Sequence, residues 1–183
     1  MKLKIKKYSK GFTLVESLVA IGILSLSIAA TFTAVQAGLK TSIAAKDQIT
    51  AFYLAQEALE YVKNIRDENA LHALNGTATW LTGLSAISTD PCYFGKICRI
   101  DVGQSSVSEC TLGTGTCPNL NKDSTSGLYG YSSGTTWSTT SFNREIQLTS
   151  VSADSITVTI RVRWVSGGSN KTFTVNGLVF NRQ

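Results

Sequence analysis

Histidine occurs once in this 183-residue chain and proline twice, the first proline being Pro91. The lone His72 has no cysteine or serine context around it, so a nucleophile–base pair built on histidine has no candidate. No His/Cys/Asp/Glu cluster shows metal-ligand spacing, and no phosphate-cradling glycine loop follows a strand. Gly113 and Gly115 lie between cysteines and need only turn geometry. Asp90, Asp101, Asp123 and Asp154 are too scattered for a calcium loop. A membrane-anchored enzyme is therefore disfavoured, and neither cofactor nor metal is expected. Two further absences concern charge. No acidic residue precedes Glu16, and no charge of either sign occurs from Ser17 to Leu39.

What is present follows from those gaps. Lys2, Lys4, Lys6, Lys7 and Lys10 crowd the start, and the other 12 basic residues balance the 12 acidic ones. The net charge of +5 therefore belongs to the leader and reads as an orientation signal, not a nucleic-acid face. The uncharged 23 residues from Ser17 to Leu39 suffice to cross roughly 30 Å of hydrocarbon. A secretory signal would place its small residue after the apolar core; here Gly11 comes before it. The span is expected to stay with the mature protein, lysines inside and the remainder outside. Cys92, Cys98, Cys110 and Cys117 all fall in the external part, where disulfides are favoured over a four-thiolate zinc site. Three pairings are open. The local one, Cys92–Cys98 with Cys110–Cys117, is preferred because each bridge closes a short loop bordered by turn residues.

Periodicity supplies the architecture. Residues 12–39 read as one membrane-type helix, continued by an amphipathic half over residues 40–68, for a single helix of about 55 residues. Ala51, Leu54, Ala55, Ala58, Val62 and Ile65 share one face, suited to packing on a sheet. Glu57, Glu60 and Lys63 are expected opposite, with Glu60–Lys63 and Lys63–Asp67 at pairing distance. Ile49, Phe52 and Leu59 form a second strip, either extra core or a contact with another subunit's helix. Residues 69–183 form an extracytoplasmic globular domain. Within it Asn75-Gly76 signals a turn, and Trp80, Leu81 and Leu84 tuck under an edge. Residues 92–141 read as an irregular stapled region, with strands near Ile97–Val102 and Leu128–Tyr131. Phe142–Thr149, Ser155–Val165 and Lys171–Phe180 alternate as an antiparallel β-meander over 142–180. Arg161 and Arg163 point from its outer face, where solvation is the simpler reading than an anion site. The class is α+β.

Glu16 is the anomaly. A carboxylate among apolar residues near a membrane is costly unless neutralised or paired. Its neighbours, Lys10-Gly11-Phe12-Thr13-Leu14-Val15-Glu16 followed by an apolar helix, resemble the N-terminal signature of type IV pilins and pseudopilins. The resemblance implies cleavage between Gly11 and Phe12 by a membrane-embedded prepilin peptidase, then N-methylation of Phe12. It also implies that Glu16 pairs with the N-terminal amine of a neighbouring subunit, where two opposite charges in low dielectric offset each other's burial. Ala55-Gln56-Glu57-Ala58-Leu59-Glu60-Tyr61-Val62, Asn64-Ile65-Arg66-Asp67 and the terminal Gly177-Leu178-Val179-Phe180-Asn181 are similar to minor pilins and minor pseudopilins. Thr33 stands where many major pilins carry a proline, and the chain's end lacks their single C-terminal disulfide loop; both point the same way.

The resemblance thus implies a filament subunit of a type IV pilus or type II secretion pseudopilus. It would be anchored in the cytoplasmic membrane as a precursor and would be partnered by other pilin or pseudopilin subunits. The alternative is a tip-located minor pilin binding DNA or a surface through residues 92–141. Arg99 and Lys122 are the basic residues there, too few for an electrostatic stripe.

Overall fold

The computed structural model describes residues 11–73, 79–110 and 117–181. The leader lysines, Asn75-Gly76 and Gly113/Gly115 lie outside the described residues. The chain is α+β, a long N-terminal helix followed by an antiparallel sheet, in agreement with a pilin-like arrangement. It divides into two compact units, residues 1–42 and Ile43–Gln183.

Helix α1 runs Leu14–Ala73, 60 residues, and so ends five residues beyond the expected boundary at 68. No proline interrupts it. Ser27, Thr31, Thr33 and Thr41 each donate a hydroxyl hydrogen bond to the carbonyl four residues earlier. Such back-bonding satisfies a hydroxyl without any partner from outside the helix. In the first unit the apolar side chains from Leu14 to Leu39 are exposed on all sides, the pattern of a helix that needs an apolar environment.

In the second unit, seven strands form one sheet. They are β1 Ile97–Asp101, β2 Ser106–Glu109, β3 Asn119–Asp123, β4 Tyr129–Gly130, β5 Trp137–Ser152, β6 Ser155–Ser166 and β7 Ser169–Phe180. The last three make the expected meander, although β5 starts at Trp137 and not at Phe142. Gly167 and Gly168, at φ of 59° and 78°, form the two-residue turn between β6 and β7. Positive φ at both positions is what a tight hairpin of the favoured hand demands. β5 organises the sheet. Along one side it pairs with β6; along the other its first half pairs with β3 and its second half with β1. In residues 92–141, read as irregular apart from strands near Ile97–Val102 and Leu128–Tyr131, those two strands are β1 and β4, and with the unexpected β2 and β3 they make two hairpins docked side by side on β5.

The inner face carries the core. Cys98, Ile146, Ile160 and Val175 lie in one cross-strand row. Ile156, Val158, Ile160, Val162 and Trp164 of β6 are all buried, as alternation requires. Ala51, Leu54, Ala55, Ala58 and Val62 of α1 join the same cluster, with Ile65 half-buried beside them. Leu59, from the second strip, packs against this core as well. A Cβ placed on Gly177 of β7 would lie 2.6 Å from Leu59 Cδ1, so the helix approaches the strand closely where the strand has no side chain. Trp80, Leu81 and Leu84 are buried.

On the helix the expected Glu60–Lys63 pair forms, whereas the places expected for Glu57 and Asp67 do not hold. Glu57 does not face away from the core; its carboxylate accepts from Arg144, a residue of β5 with no exposed surface. Lys63 pairs with Glu60 at 2.8 Å, whereas Asp67 pairs with Arg66 and not with Lys63. Arg66 and Asn69 extend the buried face with polar groups. The Asn69 amide donates to the carbonyls of Trp80 and Thr82, pinning the following segment to the helix.

Candidate processing and assembly site

The start of α1 is built from local chemistry. Thr13 occupies the cap position: its Oγ1 accepts the Glu16 backbone N–H at 3.2 Å, and its carbonyl accepts from Ser17 N and Ser17 Oγ. Thr13-Leu14-Val15-Glu16 matches the Thr-x-x-Glu capping pattern, which satisfies backbone donors that a first helical turn leaves orphaned. The cap starts the helix at Leu14, two residues after the start read from the apolar run at residue 12. It also separates two roles of Glu16. The backbone N–H serves the cap, while no cationic partner meets the carboxylate among the described residues. The helix N-terminus itself favours a negative charge there.

Gly11 and Phe12 precede the helix without regular secondary structure, and Phe12 is 79% exposed. A Cβ on Gly11 would meet nothing within 4 Å, and its φ is not in the left-handed region. Neither packing nor backbone strain in this chain therefore calls for glycine at position 11.

The cysteines lie in the second unit. Cys92 is joined to Cys98 and Cys110 to Cys117, with Cα separations of 5.1 and 5.0 Å. Cys98 belongs to β1, and the Cys110 N–H continues the β1–β2 ladder by donating to the Ile97 carbonyl. Cys110, Cys117 and Ile97 form a small separate cluster. The Asn143 side chain of β5 donates to the Cys117 carbonyl. The first bridge thus ties the segment ahead of β1 to that strand, and the second ties the end of the β1–β2 hairpin to the start of the β3–β4 hairpin.

The remaining candidates have structural employment. Asp90 accepts from Ala86 N and Ile87 N, Asp101 from Gln104 N and Tyr131 N, Asp123 from Thr125 N and Ser126 N, and Asp154 from Asn181. Hydrogen bonds from the Ser126 and Thr136 side chains lower the Asp123 pKa to about 2. Burial raises the Tyr131 pKa, and Arg99 sits 4.9 Å from the centre of that ring. Lys122 lies over Tyr129. Arg163 pairs with Glu145 at 2.7 Å, and Arg161 reaches Gln147. His72 stands 4.0 Å from Glu68. No group of three or more His, Cys, Asp or Glu is placed to hold a metal among the described residues.

Comparison with known proteins yields one match: residues 6–32 fit the family model described as the prokaryotic N-terminal methylation motif. No curated protein and no solved structure matches the chain. The matched segment covers Gly11, Phe12, the Thr13 cap, Glu16 and the first turns of the exposed apolar helix. On a helix-plus-sheet framework of pilin-like class, the chain carries the prepilin-type N-terminal signature of type IV pilins and pseudopilins.

Proposed function

We propose that this protein is a structural subunit of a type IV pilus or a related type II secretion pseudopilus, of the minor kind. It is inserted with its lysines on the cytoplasmic side, cleaved between Gly11 and Phe12, methylated at Phe12, and assembled through α1. The observation that carries this reading is the coincidence of the matched motif with a glycine that packs against nothing and a carboxylate that meets no cation among the described residues.

The physical sequence is short. Cleavage creates a new ammonium at Phe12, four residues from Glu16. The Thr13 hydroxyl, and not the carboxylate, accepts the cap hydrogen bond, which leaves the carboxylate for the ammonium of a neighbour. Pairing removes two charges from an apolar medium at once. The unbroken helix through Thr33, where many major pilins carry a proline, supports the minor assignment.

Intact-mass measurement of the chain from a host with its prepilin peptidase tests the reading. The expected mass lacks residues 1–11 and carries one methyl group. A mature chain that retains the leader while residing in the membrane overturns it.

A further inference from the structure

β7 is the long free edge of the sheet. It runs for 12 residues and pairs with β6 alone, whereas the other two edges, β2 and β4, have four and two residues. The phase of its ladder is fixed at both ends. The two-residue Gly167-Gly168 turn makes Ser166 and Ser169 a bonded pair, and the Asn181 N–H donates to the Asp154 carbonyl. Alternation between those ends turns the backbone groups of residues 171, 173, 175, 177 and 179 towards β6. Those of 170, 172, 174, 176 and 178 point the other way. The Phe180 carbonyl shares that outward phase and is met by the Arg66 guanidinium at 3.5 Å. From Thr172 to Leu178 the outward N–H and C=O groups have no hydrogen-bond partner among the described residues.

Folded sheets protect such an edge with a proline, a charge, a bulge or shortness, because an open ladder recruits another strand. Between Thr172 and Phe180, β7 has none of these. Its register with β6 runs without a shift, while β5 is irregular against both β3 and β6. Thr172, Thr174, Asn176 and Leu178 are exposed on the outer face, and Leu178 and Phe180 keep 53% and 52% of their surface in solvent. Behind the edge α1 braces the strand: Phe52 meets Phe173 edge-on, and Leu59 occupies the space beside Gly177. At the far end Lys171 has no acidic partner among the described residues. The edge is rigid, open and uncapped.

We propose that this edge takes up an extended segment of a different protein as an eighth strand, bonded to residues 172–178. The occupant is a β-prone stretch of about seven residues, without proline at its bonding positions, apolar beside Leu178 and acidic beside Lys171. A second copy of this chain does not fit the edge. Its β2 and β4 are too short to fill it. An antiparallel β7–β7 pair needs a two-fold axis normal to the sheet, which sets residues 43–73 of the two helices antiparallel. A parallel β7–β7 pair has no two-fold solution, because each bonding residue must face a non-bonding one. The proposal rests on the assembly reading above, which gives all subunits one direction and supplies neighbours that are other proteins.

Amide hydrogen exchange at single-residue resolution tests this on the mature full-length chain, alone in detergent and assembled with its partners in sheared filaments. The amides of residues 173, 175 and 177 should be slow in both samples. Those of 172, 174, 176 and 178 should be fast in detergent and at least about tenfold slower in the filament, an alternation that side-chain packing alone would not produce. Thr174→Pro deletes one outward donor and leaves the β6 ladder intact, so processing and melting temperature should hold while incorporation falls about tenfold. Thr174→Val keeps the donor and should incorporate normally. Should the proline variant unfold, the wild-type exchange pattern decides. Outward amides that stay fast in the filament overturn the proposal, as does a folded Thr174→Pro chain that incorporates like wild type. So does slowing of the same amides in concentrated detergent samples without partners, the signature of self-pairing. In those cases a wild-type chain that is processed and enters filaments leaves the assembly reading standing. A wild-type chain that never enters them overturns both.

Discussion

The Arg144 guanidinium, with no exposed surface, lies 2.5 Å from Glu57 Oε2 and donates to the carbonyls of Leu54 and Ile100 at 2.9 and 2.6 Å. One side chain of β5 thus holds the helix and β1 together. Removing it strips acceptors in two elements, whereas removing Glu57 leaves the guanidinium two backbone carbonyls. Breaking a buried charge pair costs about 3–5 kcal/mol, and losing one hydrogen bond to a charged group about 1.5–3. Glu57 is partly exposed, which screens its share. Arg144→Met should therefore lower the melting temperature of residues 43–183 far more than Glu57→Gln, as read by thermal unfolding. Equal effects would show that the carbonyl contacts are unimportant.

Gly177 and Leu59 make a complementary pair. Ala at 177 forces the end of the Leu59 side chain to move, an overpacking cost of about 1–3 kcal/mol, and Val there should cost more. Leu59→Ala opens the space, so the double variant Gly177→Ala/Leu59→Ala should be less destabilised than the sum of its parts. Chemical denaturation of the four chains gives the coupling directly.

Asp123 sets an acid limit for the β3–β4 turn. Its folded pKa, lowered to about 2 by the hydroxyls of Ser126 and Thr136, lies below an unfolded value of about 3.9. A depressed pKa contributes stability that is present above the unfolded value and is lost as the pH falls through the folded one. The turn should therefore hold above about pH 4 and loosen towards pH 2. Amide signals of Ser126 and Leu128 should report that transition, and Asp123→Asn should abolish it.

At the start of the chain, Gly11→Leu should leave the precursor uncleaved, since the position is open within this fold and any penalty must arise in another molecule. A normal mature mass would count against that reader. Glu16→Ala should be cleaved yet fail to enter filaments, while Glu16→Gln separates charge from size. Wild-type amounts of Glu16→Ala in a sheared fraction would remove the role given to the carboxylate.

Much of the architecture was legible because burial follows period. The alternation of Ile156 to Trp164 marked β6, and the spacing of Ala51 to Val62 marked the packed helix face. β3 was not legible. Its residues, Asn-Leu-Asn-Lys-Asp, have poor strand propensity, and it exists because β5 offers a ladder and Leu120 reaches the core. Arg144 could have been found, since Phe142, Ile146 and Leu148 at alternate positions place it inward. Its partners, 87 to 90 residues away on α1, could not. Glu16 stood out because it is the one charge in an uncharged run, but the Thr13 hydroxyl that accepts its backbone N–H came from the structure.

Ser17, Ser27, Thr31, Thr33 and Thr41 each turn their hydroxyl back to the carbonyl four residues earlier. A rod closed in this way shows its surroundings little but hydrocarbon, and hydrocarbon contacts barely change when one rod slides past another. Slippage by a single helical turn, about 5.4 Å, would go almost unpunished along its flank. It would still separate Glu16 from any ammonium it had met. In a stack of such rods, if they assemble as proposed, positional accuracy along the apolar span would be concentrated in one carboxylate at its tip.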